Sequence, residues 1–235
     1  AASARPIPVF TLDPSVPAEV GPFSWLIGVW EGTGVIDYTV ASADGDDLVY
    51  AAEFRQRISF SHDGLPYLNY SSTAWIIGAD AADAAAADAD AADPAANAPL
   101  PILTPAPYVT ETGYWRLRRA LVDGDHGPGM LPGIGTRTFT TIDEVDTLRS
   151  PEGAFELEVS IVHPTGVSEL YLGQVKGGRI DLGTDAVMRS ATAKEYTAAT
   201  RLYGLVEGDL LWAWDIAAFG QELKSHASAR LVRVE

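Results

Sequence analysis

Between Gly28 and Val234 the chain repeats one unit, a short run of strand-forming residues ended by a turn signal. Phe54 to Phe60 and Tyr67 to Ile77 flank His62-Asp63-Gly64 as a hairpin. Val109, Glu111, Gly113, Trp115 and Leu117 alternate with Thr110, Thr112, Tyr114 and Arg116. Further runs span Thr136 to Ile142, FELEVSIVH, GVSELYLGQVKG and GRIDLGTDAVM, with turns at Pro151-Glu152-Gly153, His163-Pro164-Thr165-Gly166 and Gly177-Gly178. Lys194 to Leu205 and Asp209 to Ala218 pair across Glu207-Gly208-Asp209, and Ala227 to Val234 closes the series. A long helical period is almost wholly missing. About ten short strands this closely spaced predict an all-β chain, an antiparallel up-and-down barrel, because closure removes the exposed sheet edges. A sandwich is the alternative. A barrel of this strand number can enclose a ligand.

Three stretches interrupt the pattern. Residues 1–22 hold Pro6, Pro8, Pro14, Pro17 and Pro22 and read as an extended arm, with room for a helical turn over Pro14 to Val20. The barrel domain is expected over 23–235, opening with a possible single helical turn at Phe23 to Ile27. Residues 79–107 and 123–135 read as inserted loops, the first rich in alanine and aspartate and closed by five prolines. Its aspartates lack the glycine turn and terminal glutamate of a calcium loop.

The formal charge of −16 argues against nucleic acid or an anionic membrane as partner, since a polyanion meets a repulsive field. With no cysteine, disulfides, thiolate-bound metals and thiol catalysis are excluded. No apolar run reaches membrane-spanning length, and no basic region followed by an apolar core opens the sequence. The cytoplasm is the expected compartment. A homodimer is compatible with the sequence.

Two stretches stand out chemically. In Gly28-Val-Trp-Glu-Gly-Thr-Gly34, Gly28, Gly32 and Gly34 share one strand face with Trp30. Lack of bulk there admits another backbone, a bend or a flat ligand, with Trp30 plugging the gap. At the C-terminus, strict alternation puts His226, Ser228, Arg230 and Val232 on one face and Ala227, Ala229, Leu231 and Arg233 on the other. Neither face is cleanly apolar, which suits a wall lining a ligand. A neutral imidazole there can coordinate a metal or haem iron. His62 and His163 sit in turn chemistry and read as solvated or structural.

Together these stretches resemble the nitrobindin family of haem-binding, fatty-acid-binding-protein-like (calycin) β-barrels. The similar segments are GVWEGTG, FSHDGLPYLNY, TETGYWRLR, HPTGVSELYLGQVKG, TAKEYTAATRLYGLVEGDL and GQELKSHASARLVR, in order over most of 23–235. The resemblance implies a ten-stranded barrel with ferric haem b in its mouth and His226 as the axial ligand. It implies Lys194 near the haem, where a cation can pair with a propionate. Thr39 corresponds to a family threonine near the haem, displaced by one position. It also implies a peroxynitrite isomerase, or a sensor or scavenger that binds nitric oxide. The iron carries that chemistry, so no protein acid or base is required. Arg230 and Lys194 are candidates for steering an anion inward. The rival reading is a non-enzymatic carrier of a fatty acid or other apolar molecule, with Arg230 meeting a carboxylate. No GxSxG nucleophile elbow occurs, which disfavours hydrolysis.

Overall fold

The computed structural model describes residues 15–40, 48–77, 106–126 and 131–234, with backbone alone at 39, 40 and 48–50. Ten strands form a closed antiparallel barrel: β1 (Gly28–Val40), β2 (Leu48–Ser61), β3 (Tyr67–Ile77), β4 (Ala106–Leu117), β5 (Phe155–His163), β6 (Val167–Lys176), β7 (Arg179–Arg189), β8 (Tyr196–Val206), β9 (Asp209–Ala218) and β10 (Lys224–Arg233). Each strand pairs with its sequence neighbours, and β1 closes on β10. This is the up-and-down topology expected from the turn spacing.

The glycine motif makes that closure possible. A Cβ on Gly32 would lie 2.2 Å from the Arg230 carbonyl oxygen, and one on Gly34 2.4 Å from that of Ser228. The flat object that approaches these glycines is therefore the β10 backbone. Trp30 is wholly buried and donates from Nε1 to the Leu26 carbonyl at 2.7 Å. Leu26 belongs to a 3-10 helix, η1 (Ala18–Leu26), whose Val20, Phe23 and Leu26 are fully buried. This helix and Trp30 plug one end of the barrel. The arm expected over 1–22 is thus shortened. Residues 18–22 pack on the core, and buried Glu19 holds Arg119 at 2.7 Å; 1–14 lie outside the described residues.

The strand expected over Thr136 to Ile142 does not form. Thr141 instead caps a short helix, α1 (Ile142–Asp146): its hydroxyl accepts from Glu144 N, and the Glu144 carboxylate accepts from Thr141 N. Thr-x-x-Glu is a capping box, and reciprocal satisfaction of two backbone donors outweighs the short alternation around it. In the expected loop 79–107, residues 106 and 107 belong to β4, and 79–105 lie outside the described residues. Pro107 is tolerated because β4 pairs with β5 only from Thr112 onward, so its missing N–H breaks no ladder on that side. In the loop 123–135, the described residues 123–126 and 131–135 form no strand. There Asp125 clasps Arg119 with two bonds of 2.7 Å.

Candidate functional site

The end opposite the plug is where β1, β3, β5, β7 and β9 finish, and where β10 begins with a bulge. The register jumps from Ser225↔Asp215 to Ala227↔Trp214, so His226 is the extra residue. A bulge re-aims one side chain and resets the alternation after it. Ala227, Ala229 and Leu231 face inward, while Ser228 and Arg230 are exposed. The grouping of His226 with Ser228 and Arg230 is thereby corrected. Arg230 stands on the outer wall, bonded to Asp209 at 2.6 Å, and neither steers an anion into the interior nor meets a carboxylate there.

His226 is released into a ring-lined site. Tyr38 and Trp214 meet it edge-on, with centroids at 5.0 and 5.1 Å. Tyr108 Oη lies 2.7 Å from His226 Nε2. Phe219 packs on Tyr38, and the Lys224 ammonium lies 5.9 Å from the Tyr38 ring centre. Burial, reinforced by the Arg201 charge, lowers the His226 pKa to about 4, so the imidazole is neutral at physiological pH. Its Nδ1 is buried with no hydrogen-bond partner among the described residues, as are Trp214 Nε1 and both amide atoms of Gln221 in the β9–β10 turn. Leaving such groups unsatisfied costs about 1–3 kcal/mol each.

Beneath this site lies a buried polar layer. Arg201 grips Glu111 with bonds of 2.7 and 2.8 Å and donates to Tyr171 at 2.9 Å. His163 Nε2 lies 2.7 Å from Glu169, which also accepts from Tyr171 and Tyr196. Trp214 links the layers: Arg201 sits 4.5 Å from the centre of one face, and His163 stacks nearly parallel at 6.4 Å. Burial raises the Glu111 pKa, but the Arg201 charge and hydrogen bonds outweigh it and hold the carboxyl ionised. Donor atoms of Glu111, His163 and Glu169 lie within 4.8 Å of one another, a spacing open to a cation. The Arg201 guanidinium already supplies the positive charge there, at 2.7 Å from Glu111 and 3.6 Å from Glu169. The cluster is a structural ion network.

The other expected site residues fall as follows. Lys194 is exposed in the β7–β8 turn at the His226 end, and its carbonyl accepts from Arg189. In β1, beside Tyr38, the Thr39 backbone pairs with Val49 of β2, and the Thr39 side chain lies outside the described residues. Gly28, Trp30, Gly32 and Gly34 lie along β1 towards the plugged end and the β1–β10 seam, away from His226. His163 is structural, and His62 accepts from Gly64 N in its turn. Sequence reasoning missed Tyr108, Trp214 and the Arg201 network. A signal was present: Glu111 keeps step with the inward Gly113, Trp115 and Leu117, as Arg201 does with Ala199 and Tyr203. A charge in phase with an apolar face marks a buried partner.

A closed barrel with one end plugged and a neutral, incompletely bonded imidazole among aromatic rings at the other belongs to the class of ligand-binding calycin barrels. The donor set fits haem: one nitrogen ligand that stays unprotonated, ring surface for a flat macrocycle, and unsatisfied polar atoms at its edge. A sequence profile described as "THAP4-like, heme-binding beta-barrel domain" matches residues 19–233. The chain belongs to this family, the haem-binding barrels that its motifs resemble. A protein of Clavibacter michiganensis named peroxynitrite isomerase is 60% identical over 94% of this chain and 96% of its own length. A protein of the same name from Leifsonia xyli is 58% identical over the same shares. The solved structure of Rv2717c from M. tuberculosis superposes with a TM-score of 0.56 over 94% of this chain and 99% of that one. At 22% identity it speaks for the fold alone. No helix among the described residues is long and apolar enough to cross a membrane.

Proposed function

We propose that this chain binds ferric haem b through His226 and isomerises peroxynitrite to nitrate. The observation that carries the reading is the His226 imidazole, neutral and buried within a ring of aromatic side chains. The names of relatives at 58–60% identity support the substrate. When bound, haem supplies a Lewis-acidic iron for the peroxynitrite anion.

The chain's own residues bind, orient and exclude water. His226 would hold the haem iron through a ring nitrogen, and its depressed pKa keeps that lone pair free of a proton down to mildly acidic pH. Tyr38, Tyr108 and Trp214 fence the imidazole with apolar surface and limit its rotation. Lys194, and Thr39 in β1, complete the proposed haem contacts from the same end, Lys194 meeting a propionate. Peroxynitrite and nitrate are isomeric anions, so the conversion moves no net proton and needs no protein acid or base. Nitric oxide as a second ligand, a scavenging or sensing role and a cytoplasmic setting belong to the same proposal.

The test is a haem titration of the apoprotein followed by absorbance, beside His226→Ala, and then peroxynitrite decay with the loaded protein. A saturable one-to-one Soret band, weakened in the variant, with faster nitrate formation by wild type, is the expected result. No specific uptake by wild type refutes the reading.

A further inference from the structure

Tyr108 stands next to His226 at the start of β4, a stretch that sequence reasoning assigned no role. Its hydroxyl and His226 Nε2 are 2.7 Å apart. Phenol is a stronger acid than a neutral imidazole N–H, and the contact has the length of an ordinary hydrogen bond. The hydroxyl therefore donates and Nε2 accepts, which places the imidazole proton on Nδ1. That is the tautomer a metal at Nε2 requires. Nε2 is also the nitrogen a macrocycle-bound metal reaches more easily, because Cβ crowds Nδ1. Yet the lone pair that would enter the coordination bond is the one engaged by the Tyr108 proton. A single lone pair serves one of the two.

We propose that Tyr108 is a positioning residue that guards the axial nitrogen: its hydroxyl holds His226 in the ligating tautomer and has to leave Nε2 before iron can bind. The inference rests on the haem reading above. The local backbone suits such a release. The first residues of β4 pair with β3 but not with β5, whose ladder starts at Thr112, and the β3 register shifts at Ala74/Trp75 beside them. Tyr108 also packs its ring on Phe54 at 5.4 Å, so phenylalanine at this position keeps the packing and removes only the hydroxyl.

The experiment compares wild type with Tyr108→Phe in haem affinity, haem association rate and the ¹⁵N shifts of His226 in the apoprotein. Loss of one net hydrogen bond that competes with the metal should tighten haem binding by roughly two- to tenfold and speed association. The Soret maximum should stay in place, since His226 remains the ligand. The apoprotein ¹⁵N spectrum should move from a fixed Nδ1–H tautomer in wild type towards a mixture in the variant. Equal or weaker haem binding by Tyr108→Phe, with uptake by wild type intact, overturns the guarding role alone. An unchanged tautomer in the variant overturns the positioning role. Failure of wild type to take up haem overturns the haem reading, and the guarding role with it, while the ¹⁵N comparison still reports on the hydrogen bond.

Discussion

Replacing Arg201 with methionine should destabilise the barrel more than almost any other single change. Arg201 is 4% exposed and lies between Glu111 and Glu169, themselves 4% and 3% exposed. Methionine fills much of the volume of the stem but removes the charge, both bonds to Glu111 and the bond to Tyr171. Removing one partner of a buried pair leaves the other charge uncompensated and costs about 3–5 kcal/mol. Domains have about 5–15 kcal/mol in total, so much of the margin is at stake. At roughly 2–4 °C per kcal/mol for a chain of this size, the melting temperature should fall by about 6–20 °C. The sign with pH is a second check. The folded pKa of Glu111 is depressed to about 2 from its ordinary 4.5, so its stabilisation is present above the unfolded value and is lost as pH falls towards 2. Without Arg201, burial pushes the carboxyl upward, and acidification relieves the variant by protonating it. Urea unfolding followed by tryptophan fluorescence at pH 7 and pH 4.5 should therefore show a gap that narrows at the lower pH. Adding Glu111→Gln should recover part of the loss. A gap under about 1 kcal/mol that is the same at both pH values would refute the assignment of this network as a charge-compensated core.

Three further outcomes follow from the same geometry. Gly34→Ala should cost about 1–3 kcal/mol by overpacking, because its Cβ would sit 2.3 Å from the Phe54 ring and 2.4 Å from the Ser228 carbonyl oxygen; an unchanged unfolding midpoint would refute the close β1–β10 approach. Trp30→Phe should lose about 1–3 kcal/mol in the same assay, since it leaves the Leu26 carbonyl without its buried donor. The His226 ring should titrate near pH 4 by NMR in the apoprotein. Its folded pKa lies below the unfolded 6.5, so the stability tied to the neutral ring is complete above pH 6.5 and declines as pH falls towards 4. That midpoint should rise in Arg201→Met, because the Arg201 charge helps to depress it; a midpoint near 6.5 in wild type would mean that the ring is solvated.

The sequence by itself determined what depends on period and local chemistry. Alternation and turn residues specified the ten observed strands and their antiparallel order, because a side-chain period of two and a glycine-rich turn are properties of adjacent residues. The glycines of GVWEGTG declared a place without bulk, and the motifs identified the family and His226. What approached those glycines was decided only by closure: the β10 backbone, which pairs Leu231 with Gly32 and Ala229 with Gly34 across almost the whole length of the chain, is invisible to local pattern.

The C-terminal strand shows the limit most clearly. Alternation assigned His226 to the face of Arg230, and a single extra residue at the bulge separated them. A bulge is set by the partner strand's register, here β9, and no residue of GQELKSHASARLVR announces it. The same holds for the ion network. Glu111, His163, Glu169 and Arg201 come from four strands, and their charges can be buried only because all four converge. Their meeting is a tertiary fact, because desolvating any one of them alone would be prohibitive. The sequence thus supplied the strands and the histidine, and the closed barrel decided which side chains could hold that imidazole neutral, buried and in place.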